Sequence, residues 1–393
     1  MRQNQQNTRT VKGNRNTNIS LVILCRSFQV FTMGGIALFL PLIREDIRLS
    51  FTQGGTLSAI AILAYALMQI PVGYLTDRFG PRRLFFIGIL GTTFLTLTFG
   101  LVTEYWQALA NQILVGVFRA FLFVPEMTLL AGWFPARWRS TATAMSQIGV
   151  LIGSLVLGIA GPLMVAKFDW RFPFISFALL GIVTSFIFLR FSDDPPVLSV
   201  QRKSSIREIS QLFGNSVMWL CGALQYVRLA VVQGIAFWLP TFLIEDKGLS
   251  LQLTGIVVAV QIIFRAPSGI LGGYISDRIR KPTLVIGASL IILAITVGFL
   301  ATANNIILLI ALIGIYAIFA QMYFGSLFAV PVEILGNDKA GIARGFSNLF
   351  ANIGSFSFVY LLGFLKDTTA SFKNRILYYC RALRYWLYID NSP

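Results

Sequence analysis

The sequence predicts an all-α membrane protein whose eleven transmembrane helices form two pseudo-symmetric bundles. Of the 393 residues, 56% are hydrophobic and only 12% are charged, whereas a soluble protein carries about 25% charged residues. Apolar stretches of about 20 residues recur along the whole chain, and this length crosses ~30 Å of hydrocarbon as a helix. The second half of the chain also repeats short motifs of the first half, which indicates two related bundles.

The predicted helices follow one another with short polar turns between them. They cover residues 19–43, 52–75, 84–102, 105–132, 140–166, 172–190, 214–243, 252–275, 284–302, 305–332 and 345–365. With the amino terminus inside, the inner segments hold 18 Lys and Arg residues, and the outer segments before helix 11 hold five. Because Lys and Arg accumulate on the cytoplasmic side, this asymmetry predicts a multi-pass protein of a bacterial inner membrane with a cytoplasmic amino terminus.

Polar segments divide the chain into domains. Residues 1–18 form a basic cytoplasmic tail, and residues 191–213, basic and rich in Pro and Ser, form a cytoplasmic linker. The linker separates a six-helix bundle (19–190) from a bundle of helices 7–11 (214–372). In the last segment, 373–393, arginines interrupt the apolar pieces, so the expected twelfth helix is missing. We expect a truncation or a frameshift where this segment begins.

Composition excludes several function classes. The net charge of +16 is distributed in small groups between apolar runs, which is a topology signal and not a nucleic-acid-binding face. The chain has no His, and its three Cys are scattered, so neither a metal site nor a Ser/His catalytic arrangement is predicted. We therefore expect no enzymatic activity, no cofactor and no nucleic-acid partner, and a monomer embedded in the lipid bilayer.

Two pairs of motifs carry the internal repeat. The stretch "GIALFLP" at 35–41 matches "GIAFWLP" at 234–240, and "GYLTDRFGPRRL" at 73–84 matches "GYISDRIRKPTL" at 273–284. Repeats with the same membrane orientation, each of about six helices, are typical of transporters built from two bundles.

The charged repeat resembles the signature between helices 2 and 3 of the major facilitator superfamily, Gly-x-Leu-x-Asp-Arg-x-Gly followed by basic residues. The matching positions are Gly73, Asp77, Arg78, Gly80, Arg82 and Arg83 in the first copy, and Gly273, Asp277 and Arg278 in the second. The resemblance implies a gate, in which each aspartate lies against the positive amino end of a helix, helix 11 or helix 5, when the inner side is closed. The alternative is that these loops only anchor the topology, which explains the arginines but not the two aspartates.

Four arginines fall inside predicted helices: Arg26, Arg119, Arg228 and Arg265. An arginine near mid-membrane costs about 2.5–3.5 kcal/mol on insertion scales, so we expect these four to face an aqueous cavity. The resemblance implies that helices 1, 4 and 7 line that cavity. Since the guanidinium fork suits carboxylates and phosphates, we predict a small organic anion as substrate. The alternative for each arginine is a structural partner, or for Arg26 a position reaching the membrane surface.

Two further features narrow the prediction. The segment "GWFPARWRSTATA" after helix 4 and the sequence through helix 11 resemble the anion:cation symporter branch, which includes sugar-acid transporters. This resemblance implies alternating access, with H⁺ as coupling ion. Glu126 is the one acidic residue clearly inside a predicted span, so it is the proton-coupling candidate. A plain salt bridge, for example with Arg119 two turns away, is the alternative. Uptake of amino acids or other zwitterions, a non-transporting sensor, or an inactive truncated product are the rival functions.

Overall fold

The structure, a computed structural model, describes residues 15–134, 139–194, 214, 216–279, 281–323 and 340–369. Eleven helices lie within these ranges: α1 Arg15–Ile47, α2 Phe51–Phe79, α3 Pro81–Phe99, α4 Tyr105–Trp133, α5 Arg139–Val165, α6 Arg171–Phe191, α7 Ser216–Thr241, α8 Leu251–Ile279, α9 Pro282–Thr302, α10 Ile306–Met322 and α11 Ala340–Thr369. The predicted all-α fold is confirmed. Most of the predicted tail, most of the linker and the whole of 373–393 lie outside the described residues.

The helices have the lengths that a membrane requires. Ten apolar helices in the described ranges are long enough to cross it, and α10 is a shorter apolar helix. The predicted tenth helix, 305–332, continues into residues that are not described. Several helices extend beyond their predicted ends; α1, predicted over 19–43, covers Arg15–Ile47, because polar residues can continue the helical hydrogen bonds outside the apolar run.

Local signals set the turn that carries the first charged signature. Gly80 ends α2 with a φ of 86°, a conformation that favours glycine. Pro81 then begins α3, at the first helical position, where proline loses no hydrogen bond. One glycine of the signature is therefore a helix stop.

The two parts of the chain pack their helices in the same pattern. In the first six helices, α1 packs on α5, α2 on α4, and α3 on α4. In the others, α7 packs on α11, α8 on α10, and α9 on α10. Between the two sets, α2 packs on α11 and α5 on α8, with α1 also touching α7. This pairing follows the sequence repeat.

Ion pairs join the helices at the end of the molecule that carries the α1–α2 and α7–α8 turns, here called the outer end after the predicted topology. Helix α7 continues as a π-helix over Phe242–Asp246. Glu245 accepts a hydrogen bond from Arg44 of α1 at 2.8 Å, and Asp246 accepts one from Lys366 of α11 at 2.9 Å. Both acidic residues of the π-helix therefore tie α7 to a neighbouring helix.

Helix α11 also closes on α2 at the outer end. The Asp367 carboxylate accepts hydrogen bonds from the backbone N–H groups of Phe51, at 2.9 Å, and Thr52, at 2.7 Å, and so caps the start of α2. Further along, a Cβ added at Gly55 would lie 2.8 Å from the carbonyl oxygen of Val359. The two helices are thus in near backbone contact here.

Helices α5 and α8 make the equivalent close contact through two glycines. A Cβ added at Gly158 would lie 2.5 Å from the carbonyl oxygen of Gly255, and one at Gly255 would collide with the carbonyl of Gly158. Small residues that let helix backbones approach are common where membrane helices associate. Together with the α2–α11 contact, this packing closes the outer end between the two sets of helices.

We expect Gly158→Ala to destabilise the protein by about 1–3 kcal/mol, because the added methyl group overpacks the α5–α8 contact. The measurement is the melting temperature of the purified protein in detergent. Gly314→Ala on α10 is the matched control, since a Cβ there meets no atom within 4 Å. Equal melting temperatures for the two variants would contradict the contact.

Candidate functional site

A buried ion pair between α1 and α4 forms the centre of the site in the first set of helices. The Glu126 side chain is fully buried and that of Arg26 is 14% exposed. Arg26 Nε lies 3.4 Å from Glu126 Oε2, and Arg26 Nη1 donates to Gln29 Oε1 at 2.7 Å. The Ser146 hydroxyl of α5 lies beside the same carboxylate. Because removing one partner of a buried pair leaves an uncompensated charge, this arrangement holds three helices in place.

Glycines bring α5 against α1 beside this ion pair. A Cβ at Gly149 would lie 2.7 Å from the Cβ of Arg26, and a Cβ at Gly153 would collide with the backbone of Ser27. The two glycines are one turn apart, on one face of α5. They allow the Ser146 hydroxyl to reach the buried carboxylate.

Arg119 contacts an aromatic ring instead of Glu126. Its guanidinium carbon lies 5.0 Å from the centre of the Tyr65 ring, a cation–π arrangement, and its Nη1 donates to the sulfur of Met33. The alternative pairing of Glu126 with Arg119 is not what the structure has. Seven residues separate these two on α4, about 10.5 Å along the axis, whereas Arg26 approaches Glu126 from the side.

A polar route leads from Arg119 to the second set of helices. The Tyr65 hydroxyl is hydrogen-bonded to Gln69, one turn further along α2. Gln69 Oε1 in turn accepts from Asn348 Nδ2 of α11 at 3.3 Å. Sequence reasoning missed these three residues. The available signal was a single polar side chain on an otherwise apolar helix face, which a buried structural residue gives equally.

The second set of helices holds its own arginine pair. Arg228 of α7 is 7% exposed and lies close enough to Arg265 of α8 to interact with it electrostatically. Two buried tyrosines, Tyr316 and Tyr323, are electrostatic neighbours of the pair. The Tyr316 hydroxyl donates to the carbonyl oxygen of Val232 at 3.1 Å. The four predicted arginines thus group as Arg26 with Arg119 and Arg228 with Arg265; that both groups serve one site stays a prediction.

The first charged signature is largely exposed in this conformation. Asp77 and Arg78 are exposed, as is Arg83, and within the described residues Asp77 makes no ion pair. A Cβ added at Gly73, or at Gly273 in the second copy, would meet no atom within 4 Å. The close helix approach that a shut gate requires is therefore absent at these glycines.

Other signature residues make contacts within their own set of helices. Arg82 Nε donates to Ser192 Oγ at 2.9 Å, and its Nη2 donates to the Leu189 carbonyl at 2.5 Å. Arg82 therefore binds the end of α6, where carbonyl groups lack helical partners. In the second copy, Arg278 donates to the Tyr274 hydroxyl at 2.8 Å, and the Asp277 side chain lies outside the described part of the chain.

Two curated bacterial proteins resemble this chain over most of its length. "Probable galactarate/D-glucarate transporter GudP" of Escherichia coli (strain K12) is 25% identical over 85% of this chain and 83% of its own. "Hexuronate transporter" of Bacillus subtilis (strain 168) is 21% identical over 86% of this chain and 84% of its own. Both proteins are transporters by name.

A solved structure shares the fold. A bacterial homologue of the human lysosomal transporter Spinster, in an inward-facing and unoccupied conformation, superposes with a TM-score of 0.79. It is 18% identical, and the match covers 90% of this chain and 83% of that chain. The family model described as Major Facilitator Superfamily matches residues 22–359. The chain therefore belongs to the major facilitator superfamily, as a multi-pass integral membrane protein.

Proposed function

We propose that the chain is a secondary transporter of a small organic anion, specifically a sugar acid, by alternating access. The observation that carries the proposal is the charge inside the helices, where four arginines accompany the single clearly embedded acid, Glu126. Guanidinium groups held away from bulk water are strong binding partners for carboxylates. The relatives named for galactarate, D-glucarate and hexuronate support the same substrate class.

The geometry supports assigning this conformation to an inward-facing state. The outer end is closed by α2 against α11 and α5 against α8, whereas the glycines of the charged signatures face open space. The solved neighbour with a TM-score of 0.79 is described as inward-facing and unoccupied. Substrate would leave from this state to the cytoplasm, in the orientation that the Lys and Arg distribution predicts for a bacterial inner membrane.

Competition for Arg26 supplies a mechanism for proton coupling. Glu126 occupies this guanidinium from 3.4 Å, so the ionised carboxylate and a substrate carboxylate compete for it. A protonated Glu126 no longer attracts Arg26, which is then available to the substrate. Proton and anion therefore favour each other's binding, and this reciprocal coupling is what symport requires.

Uptake by the purified protein in proteoliposomes tests the proposed function. We expect an inward proton gradient to drive accumulation of labelled galactarate, D-glucarate or a hexuronate, with unlabelled sugar acids competing and amino acids not competing. Empty vesicles provide the background rate. Uptake at that background rate would refute transport of these acids, and competition by amino acids alone would favour the zwitterion alternative.

Glu126→Gln tests the coupling step. The amide copies a permanently neutral carboxyl group, so we expect substrate binding and exchange of internal for external substrate to survive. Accumulation driven by a proton gradient should fall to the level seen without a gradient. The measurement compares exchange with gradient-driven uptake in the same vesicles. A variant that still accumulates substrate against its gradient would exclude Glu126 as the proton carrier.

Asp77→Asn tests the proposed gate. We propose that Asp77 binds the amino end of α11 only when the inner end is shut, an interaction worth up to about 2 kcal/mol in a partly buried geometry. Because Asp77 is exposed in the conformation described here, we expect unchanged substrate affinity and a several-fold slower turnover. Arg83→Gln is the matched control at an exposed signature position. Equal turnover of Asp77→Asn and the unaltered protein would remove the gate.

A further inference from the structure

We infer that Gln225, Arg228, Gln261 and Arg265 form a second anion subsite, so that the preferred substrate carries an acid group at each end. This inference rests on the proposed function and specifies its substrate as a diacid. The four residues lie on α7 and α8, in the second set of helices.

The spacing of these residues places each pair on one helix face. Gln225 and Arg228 are three residues apart on α7, and Gln261 and Arg265 are four residues apart on α8, so each pair lies one above the other. All four are near the middle of their helices. Gln225 is fully buried, Gln261 is 4% exposed and Arg228 is 7% exposed. The group is therefore polar, deep in the membrane region and shielded from bulk water.

The two glutamines have hydrogen-bonding groups that the protein leaves unused. Within the described residues, neither the amide nitrogen nor the amide oxygen of Gln225 has a hydrogen-bond partner, and the amide nitrogen of Gln261 also has none. Buried polar groups are almost always paired, so these amides point to a ligand. A sugar acid fits both kinds of group, since its carboxylate accepts from the amide N–H and its hydroxyls donate to the amide oxygen.

The charges around Arg265 favour an anion. Its electrostatic neighbours here include a second guanidinium, Arg228, and the phenols of Tyr316 and Tyr323. Two guanidinium groups at close range repel each other, and an anion between them removes the repulsion. In the first set of helices, Glu126 already neutralises Arg26, which leaves Arg119 for a substrate carboxylate. Each set of helices can therefore bind one acid group.

The internal repeat places the two subsites on opposite sides of one axis. Residue 199 positions after Arg26 is Gln225, and residue 199 positions after Gln29 is Arg228. The order Arg-x-x-Gln on α1 thus becomes Gln-x-x-Arg on α7. In parallel repeats the halves are related by an axis along the membrane normal, so the two arginines differ in depth by three residues, about 4.5 Å. An extended diacid can meet one arginine at each end.

Two acids of the same sugar test the inference, the diacid galactarate and the monoacid galactonate. Binding is measured as the concentration-dependent shift in melting temperature of the full chain and as inhibition of labelled galactarate uptake. We expect the unaltered protein to prefer galactarate. Arg265→Gln should weaken galactarate binding by on the order of tenfold or more, since hydrogen bonds to charged groups contribute this much, and should leave galactonate binding nearly unchanged.

Two further variants keep the test decisive. Arg190→Gln removes an exposed charge at the end of α6 and should change neither affinity. Gln261→Met keeps the side-chain length, so if Arg265→Gln fails to fold, it should give the same selective loss of galactarate in smaller measure.

The outcomes separate the subsite from the proposed function. Equal affinity of the unaltered protein for the two acids, or an equal loss of both in the α8 variants, would overturn the subsite while anion transport stands. Binding of neither galactarate nor galactonate, with no uptake of any sugar acid, would overturn both.

Discussion

An arginine can lie within the apolar span of a membrane protein only where other groups replace the water that it loses, and the middle of this molecule is organised by that constraint. Each such residue costs about 2.5–3.5 kcal/mol at mid-membrane. Arg26 is compensated by Glu126 and Gln29, and Arg119 by the face of Tyr65. The helices that carry these groups must therefore meet inside the bundle, so the same charges that suit an anionic substrate also fix which helices are neighbours.

Most of the fold could be predicted from the sequence because its signal is long and repeated. An apolar run of about 20 residues has few interpretations other than a membrane helix, and the repeat of "GIALFLP" and "GYLTDRFGPRRL" predicted equivalent packing in the two sets of helices. The ends of helices were less predictable. Arg15–Asn18 extend α1 although they are polar, since backbone hydrogen bonds continue without regard to hydropathy.

The site was predictable in its charges and not in its contacts. The cost of an intramembrane arginine singles out Arg26, Arg119, Arg228 and Arg265 from the sequence alone. Which group compensates each one depends on how the helices cross, and a shared helix face favoured Arg119 for Glu126 where lateral packing brings Arg26. Gln225 and Gln261 were missed because a buried amide has no composition signal; only the absence of a partner among the described residues distinguishes them.

The π-helix at the end of α7 has a consequence for how the two halves of the sequence correspond. Gly35 and Pro41 match residues 199 positions later, whereas Glu45, Asp46 and the charged signature match residues 200 positions later. One extra residue was therefore accommodated between Pro240 and Glu245, inside the helix as a wider turn and not in the following loop. Deleting a residue there would restore regular α-helical geometry but rotate the helix by about 100°, so Glu245 would lose Arg44 and Asp246 would lose Lys366.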